Sequence, residues 1–334
     1  MNNLALVLTI VAIFPIAATF LYRKYLLMLG IFTEKELLVG QCVIAAVLCF
    51  LSLIVIGPWW NTLAIEEANL PVWVFGLILT TVFNVIIQFA NMRSARLAET
   101  SFIAPIGAMT PGLIMITTIL IGERPGAWGI VGIIIVAIGT FVHVREGASW
   151  QAYFMPLFFW RIFSSLERFP EAERNDIRAL RWAYLAACCS TMGLLGDGLI
   201  ARHGDMILAV TIQYGVLGGV FLICVPNQAH DERSTGPFME RLQSHLYRMI
   251  IMGIVFGLPS ILLGVSYRLA PIASIGSLKR LSLVFVAVGA VWLLGEKSGK
   301  RRILLSMVIV VGAIFISLDP TQAVLLNRLD QWLK

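Results

Sequence analysis

Two adjacent cations stand where charge is rare. Lys279 and Arg280 interrupt Ser277-Leu278-Lys279-Arg280-Leu281-Ser282, inside an apolar stretch covering about residues 273–294. One charge at the centre of an isolated membrane helix costs about 2.5–3.5 kcal/mol on insertion scales, so two neighbours need compensation. Lys279 lies roughly 9 Å past Ala273 at ~1.5 Å per residue, the edge of comfortable snorkelling. The pair reads either as a salt-bridged or snorkelled couple, or as a cationic site for an anionic substrate, with Ser274 and Ser277 on its approach. Asp197 is the only acidic residue deep in an apolar run, at a comparable depth. It is expected to neutralise Lys279 or Arg280 in one state and to yield to substrate or a proton in another. The plainer reading is a helix-end residue that reaches water between Gly196 and Gly198. Asn84, Gln88 and Asn91 recur at i, i+4 and i+7. Such a stripe faces protein or water, not lipid, and either lines a cavity or holds helices together. Gln213 and Tyr214 are further cavity candidates, and Gln41, Thr19 and Tyr22 weaker ones.

Other chemistries lack their residues. The 4 histidines and 5 cysteines make no metal-ligand spacing, and no HExxH, GxSxG or paired acidic motif occurs. The cysteines read as small apolar packing residues. No metal, cofactor or enzymatic activity is expected. No Gly-Lys-Ser/Thr phosphate loop is present either.

The elements that must position these residues follow from composition. The chain has 334 residues, 59% hydrophobic and 13% charged. A soluble domain carries roughly 45–50% apolar and about 25% charged residues, so a cytosolic enzyme, a secreted disulfide scaffold and a disordered chain are excluded. A helix crosses the roughly 30 Å hydrocarbon layer with about 20 apolar residues. Apolar runs predict ten spans, at about 4–22, 36–57, 72–92, 99–121, 126–144, 181–201, 206–225, 247–267, 273–294 and 302–318. The first reads as a retained span, without a basic n-region. The net charge of +6 does not imply nucleic acid, because the basic residues fall in the short links. Residues 146–180 carry Trp150, Phe158, Trp160 and Phe163 before a charged stretch, and read as an interfacial amphipathic linker. Residues 226–246 read as a loop. Pro15, Pro105, Pro111 and Pro259 lie inside spans and predict kinks. Gly215/Gly219 and Gly253/Gly257 have close-packing spacing.

At one constant offset Gly122-Glu123 falls on Gly295-Glu296, Gly139 on Gly312 and Ser101 on Ser274. Each half then has five spans, an odd number, so the halves enter the membrane from opposite sides. The expected architecture is all-α, with ten transmembrane helices as two inverted five-helix repeats, 1–145 and 181–320, and a tail at 321–334. Lys and Arg concentrate in alternate links, which the positive-inside rule places in the cytoplasm, so both termini are expected outside. Glu123 and Glu296 read as turn residues meeting water after a helix-stopping glycine.

Inverted repeats mark secondary transporters. Two five-span halves, each ending in a Gly-Glu turn and a Gly-rich last span, resemble the drug/metabolite transporter superfamily, its EamA-like branch in particular. Ala95 to Gly139 and Ala270 to Gly312 carry the resemblance. It implies a plasma (inner) membrane permease that moves small metabolites by alternating access without ATP. The Lys279-Arg280 pair resembles that of plastid phosphate-sugar translocators of the same superfamily. Those relatives use a further lysine in an earlier span, and the apolar runs predicted here contain none. The expected substrate is a small, at least partly anionic molecule, with Lys279, Arg280, Asn84, Gln88, Asn91, Ser277, Gln213 and Tyr214 around it and Asp197 as counter-charge. The alternative is an integral-membrane enzyme or flippase acting on an anionic, phosphate-bearing lipid. Oligomeric state is left open, a homodimer included.

Overall fold

The computed structural model describes residues 3–60, 69–110, 113, 126–144, 171–224, 238–269, 275–276, 278–296 and 299–317. Among them every regular element is helical. In chain order these are α1 (Asn3–Leu29), α2 (Glu34–Trp60), α3 (Leu70–Leu97), α4 (Thr100–Ile103) with a 3₁₀ turn at Ala104–Met109, and α5 (Ala127–Val144). Then come α6 (Glu171–His203), α7 (Met206–Cys224), α8 (Phe238–Leu269), α9 (Leu281–Leu294) and α10 (Gly299–Ser317). Six of them, α1, α2, α3, α6, α7 and α8, contain stretches long and apolar enough to cross a membrane. The chain is an all-α, multi-pass membrane protein. Large apolar side chains lie exposed along these helices, among them Val7 and Phe14 on α1, Val47 and Ile54 on α2, and Ile78 and Val82 on α3. A water-soluble monomer does not expose apolar surface so densely.

Local chemistry sets the helix ends. Thr33 and Glu36 form a reciprocal capping box at the start of α2: Thr33 N donates to Glu36 Oε2 at 2.8 Å and Glu36 N to Thr33 Oγ1 at 3.3 Å. Asn69 Oδ1 accepts from Val72 N ahead of α3, and Asp205 Oδ1 from Ile207 N and Leu208 N at the start of α7. Gly30 and Gly295 follow α1 and α9 at φ 65° and 68°, a left-handed conformation that a Cβ would strain.

Glycine spaces the helix crossings. A Cβ on Gly76 of α3 would lie 3.0 Å from the Gly196 carbonyl of α6, and one on Gly132 of α5 would lie 2.6 Å from the Gly312 carbonyl of α10. Gly253 and Gly257 of α8 abut Ile44 and Ala45 of α2. Gly215 and Gly219 face open space instead, and their spacing serves no contact among the described residues. Cys42, Cys49 and Cys189 are buried among apolar residues, whereas Cys188 and Cys224 are exposed.

The described helices depart from the hydropathy prediction at several places. α1 continues to Leu29, so Arg23 and Lys24 lie inside it and not in a link. α6 begins at Glu171, which makes the charged stretch 171–178 its first turns and not part of a linker. Ile177 and Leu180 there are buried against Ala98, Phe102 and Ile106, a tertiary gain that a hydropathy window does not see. α8 begins at Phe238 and bends at His245, whose φ of −127° leaves the helical region. Finally, the spans predicted at 99–121 and 273–294 are not continuous where described. The former passes from α4 into the 3₁₀ turn, and the latter turns at Lys279 and Arg280 before α9. The linker aromatics, Glu123, Pro111, Ser274, Ser277 and the tail lie outside the described residues.

Candidate functional site

The chain around Lys279 and Arg280 leaves regular helix but keeps its backbone groups bonded, as burial in an apolar setting requires. Around Lys279 and Arg280 the chain makes tight bonds. Lys279 N donates to Ile275 O at 3.0 Å, Ser282 N to Lys279 O at 3.1 Å and Leu283 N to Arg280 O at 3.0 Å. Ser282 Oγ donates to the same Lys279 carbonyl at 2.7 Å. Both cations thus sit immediately before the N-terminus of α9. A helix N-terminus carries the positive end of the peptide dipoles. Stacking two cations on it is unfavourable alone and favourable once an anion is present.

The break opens onto a polar cavity with two adjoining lobes. The first, about 210 Å³, is lined by Lys279, Arg280, Asp197, Asn84, Gln88 and Asn91 among others. The second, about 200 Å³, shares Lys279, Asp197 and the α3 stripe and adds Arg23, Gln213, Tyr214, Ser260 and Tyr267. Taken together, the two lobes fall at the low end of the roughly 300–1,000 Å³ range of small-molecule pockets, which fits a small occupant. Of the site residues predicted from sequence, Lys279, Arg280, Asn84, Gln88, Asn91, Gln213, Tyr214 and Asp197 line this cavity, and Ser277 lies outside the described residues.

Each polar residue reaches the cavity through a specific packing arrangement. Asp197 stands beside the Gly76–Gly196 crossing, and that close approach brings α3 within reach of its carboxylate. Thr80 Oγ1 donates to Asp197 Oδ1 at 2.7 Å. Asn84 Nδ2 donates to Thr80 Oγ1 at 3.1 Å and to Thr80 O at 2.9 Å. Because Asn84 donates to that hydroxyl, the Thr80 proton is directed at Asp197. Lys279 and Asp197 line both lobes, but no ion pair closes between them among the described residues. Tyr214 of α7 and Ser260 of α8 share a short hydroxyl–hydroxyl hydrogen bond, and the Tyr214 ring packs on Phe256 with centroids 5.0 Å apart.

Arg23 is the site residue that the predicted spans miss. It is 2% exposed. Its Nη2 donates to Gln41 Oε1 and Gln88 Oε1, each at 3.1 Å, and its guanidinium lies 5.8 Å from the centre of the Phe256 ring. The signal was legible: the apolar run resumes beyond it at Tyr25-Leu26-Leu27-Met28-Leu29. Lys24 also lies within a span, but its ammonium donates to Ala95 O at 2.7 Å and Ala98 O at 2.9 Å, closing the end of α3. Thr19 lines the second lobe, and its hydroxyl lies within bonding distance of two carbonyls, Pro15 O of its own helix at 2.8 Å and Val255 O of α8 at 2.7 Å. Glu296 does more than meet water: its carboxylate accepts from Thr100 N at 2.7 Å and Ser101 N at 2.9 Å, capping α4 from the far side of the sequence.

No family model matches this sequence, and no curated protein matches it. Among solved structures, a chain described only as a protein crystal structure superposes with a TM-score of 0.57 at 15% identity, covering 95% of this chain and 98% of its own length. At that identity the likeness is one of fold.

Proposed function

We propose that this protein is a secondary transporter that carries a small anion across the membrane by alternating access, built as two inverted five-helix repeats. The observation that carries the reading is the polar cavity with Lys279 and Arg280 at a broken span beside it. In transporters of inverted repeats, the site sits at discontinuous helices in corresponding positions of the two halves, with half-helix N-termini facing anionic groups. Here the 3₁₀ turn after α4 and the turn before α9 correspond at the offset that superposes the two Gly-Glu turns.

The packing supports the repeat. α3 packs on α6 and α1 on α8, pairs that exchange when the halves are exchanged. α2 packs on α7 and α5 on α10, each beside its own counterpart. At the α5–α10 crossing, Gly139 meets Ile309 and Gly312 meets Val136, the same contact read from either half. Ten spans, five on each side of such an axis, fit the described helices together with the stretches between them. The kinship with EamA-like permeases rests on the Gly-Glu turns, the span count and this arrangement. External termini follow from the distribution of basic residues, and plasma-membrane placement from the kinship.

The test is solute movement by the purified full chain in vesicles. Lys279→Ala/Arg280→Ala is expected to abolish counterflow of a small anion while the protein remains folded and monodisperse. The transported solute is expected to be recovered chemically unchanged, which separates a permease from an enzyme. Full activity in the double variant overturns the assignment of the cations, and a chemically altered solute overturns the permease.

A further inference from the structure

Resting on that reading, we propose that the carried molecule is a two-headed anion, with one acidic group held by Lys279 and Arg280 and the other by Arg23 at the opposite end of the cavity. The first observation is placement. Arg280 lines only the first lobe and Arg23 only the second, while Lys279, Asp197, Asn84, Gln88 and Asn91 line both and lie between.

The second observation is unmet donor capacity. Arg23 Nε, Arg280 Nε and Tyr267 Oη are buried and have no hydrogen-bond partner. All three belong to cavity-lining residues, and all three are donors. A buried polar group without a partner is costly, so native structures rarely keep several together without a use for them. Acceptors on a molecule in the cavity would satisfy them.

The third is charge. Arg23 is tied to two neutral amides and an aromatic face, and no carboxylate pairs with it among the described residues. A buried cation without a counter-charge is costly unless an anion arrives. Arg23, Lys279 and Arg280 against the single carboxylate Asp197 leave the described lining two positive charges in excess. A single acidic head at Lys279 and Arg280 would leave Arg23 uncompensated, whereas a molecule acidic at both ends meets both poles.

Thermal stabilisation of the purified full chain by succinate, glutarate, adipate, butyrate and inorganic phosphate tests this. At least one diacid is expected to stabilise wild type at about one-tenth the concentration that butyrate or phosphate requires. Arg23→Met replaces the buried charge with an apolar chain of similar length. It is expected to lose the preference for a diacid over butyrate that wild type shows. Arg23→Lys is expected to retain that preference. A wild type that ranks butyrate or phosphate with the diacids overturns the two-headed anion, as does Arg23→Met or, should it not fold, Arg23→Lys behaving against expectation. If the preference survives in Arg23→Met while Lys279→Gln/Arg280→Gln loses every response, the second anchor falls and the anion permease stands. If wild type responds to none of the five anions, both fall.

Discussion

Asp197 has one oxygen held by the Thr80 hydroxyl, and it shares the cavity with Lys279 without pairing to it. Its negative charge opposes any anion that approaches the lysine. Neutralising it is expected to tighten anion binding by about tenfold, which is ~1.4 kcal/mol, a modest share of one charge–charge interaction at an effective dielectric of ~20. Asp197→Asn is therefore predicted to bind a small anion more tightly in thermal-shift titration and to release it more slowly in vesicle counterflow. Equal affinity in the two proteins would mean that the carboxylate is screened from the site. The polar cavity residues were legible in the sequence for one physical reason. Asn84, Gln88, Asn91, Lys279 and Asp197 are too costly in hydrocarbon to face lipid. Arg23 obeys the same rule and was obscured by its neighbour. Arg23-Lys24 together resemble the basic end of a span, and only tertiary contact separates a guanidinium at a cavity from an ammonium closing α3.

Helices here are shaped by backbone groups that find partners elsewhere. Pro259 has no N–H, so the Val255 carbonyl, four residues earlier in α8, lacks its intrahelical donor. Thr19 of α1 supplies that donor from another helix, at 2.7 Å. Thr19→Val keeps the shape and removes the hydroxyl, and is predicted to lower the unfolding midpoint in detergent by the equivalent of about 1–3 kcal/mol. In a Pro259→Ala background the carbonyl regains a donor of its own, so the same substitution is expected to cost much less. A double-mutant cycle with no coupling would show that the two events are unrelated. Hydropathy located the six long helices because their apolar runs are local facts. It could not locate the breaks before α9 and after α4. A 3₁₀ turn and an α-helix of equal apolarity look alike in a window, and the difference lies in the cavity beside them. The role of Glu296 was hidden for a related reason, since the amides it caps belong to Thr100 and Ser101, 196 and 195 residues away in the chain.

At the scale of the whole molecule, charged side chains gather where the ends of α1, α2, α3, α4 and α10 meet. Glu34 pairs with Arg93 at 3.1 Å and Arg96 at 3.0 Å. Arg302 holds Glu99 and Ser101, beside the carboxylate of Glu296. In the proposed orientation this end faces the cytoplasm, and a reporter active only outside the membrane, fused after Lys334, is predicted to be on. A signal from a cytoplasmic-only reporter at that position would invert the assignment. The opposite end is joined by Asn69 N to His203 O at 3.4 Å, Trp73 Nε1 to Asp205 O at 3.3 Å and Arg268 Nη2 to Gly204 O at 2.9 Å. The ties from Glu296 and Arg302 to residues 99–101 have a mechanical consequence. A seam of carboxylates, guanidiniums and amides can part by wetting, since each member trades its partner for hydration at small net cost. A greasy seam of the same extent would have to expose bare hydrocarbon in order to open. In the proposed transport cycle, such a seam serves as a clasp that water undoes and redoes.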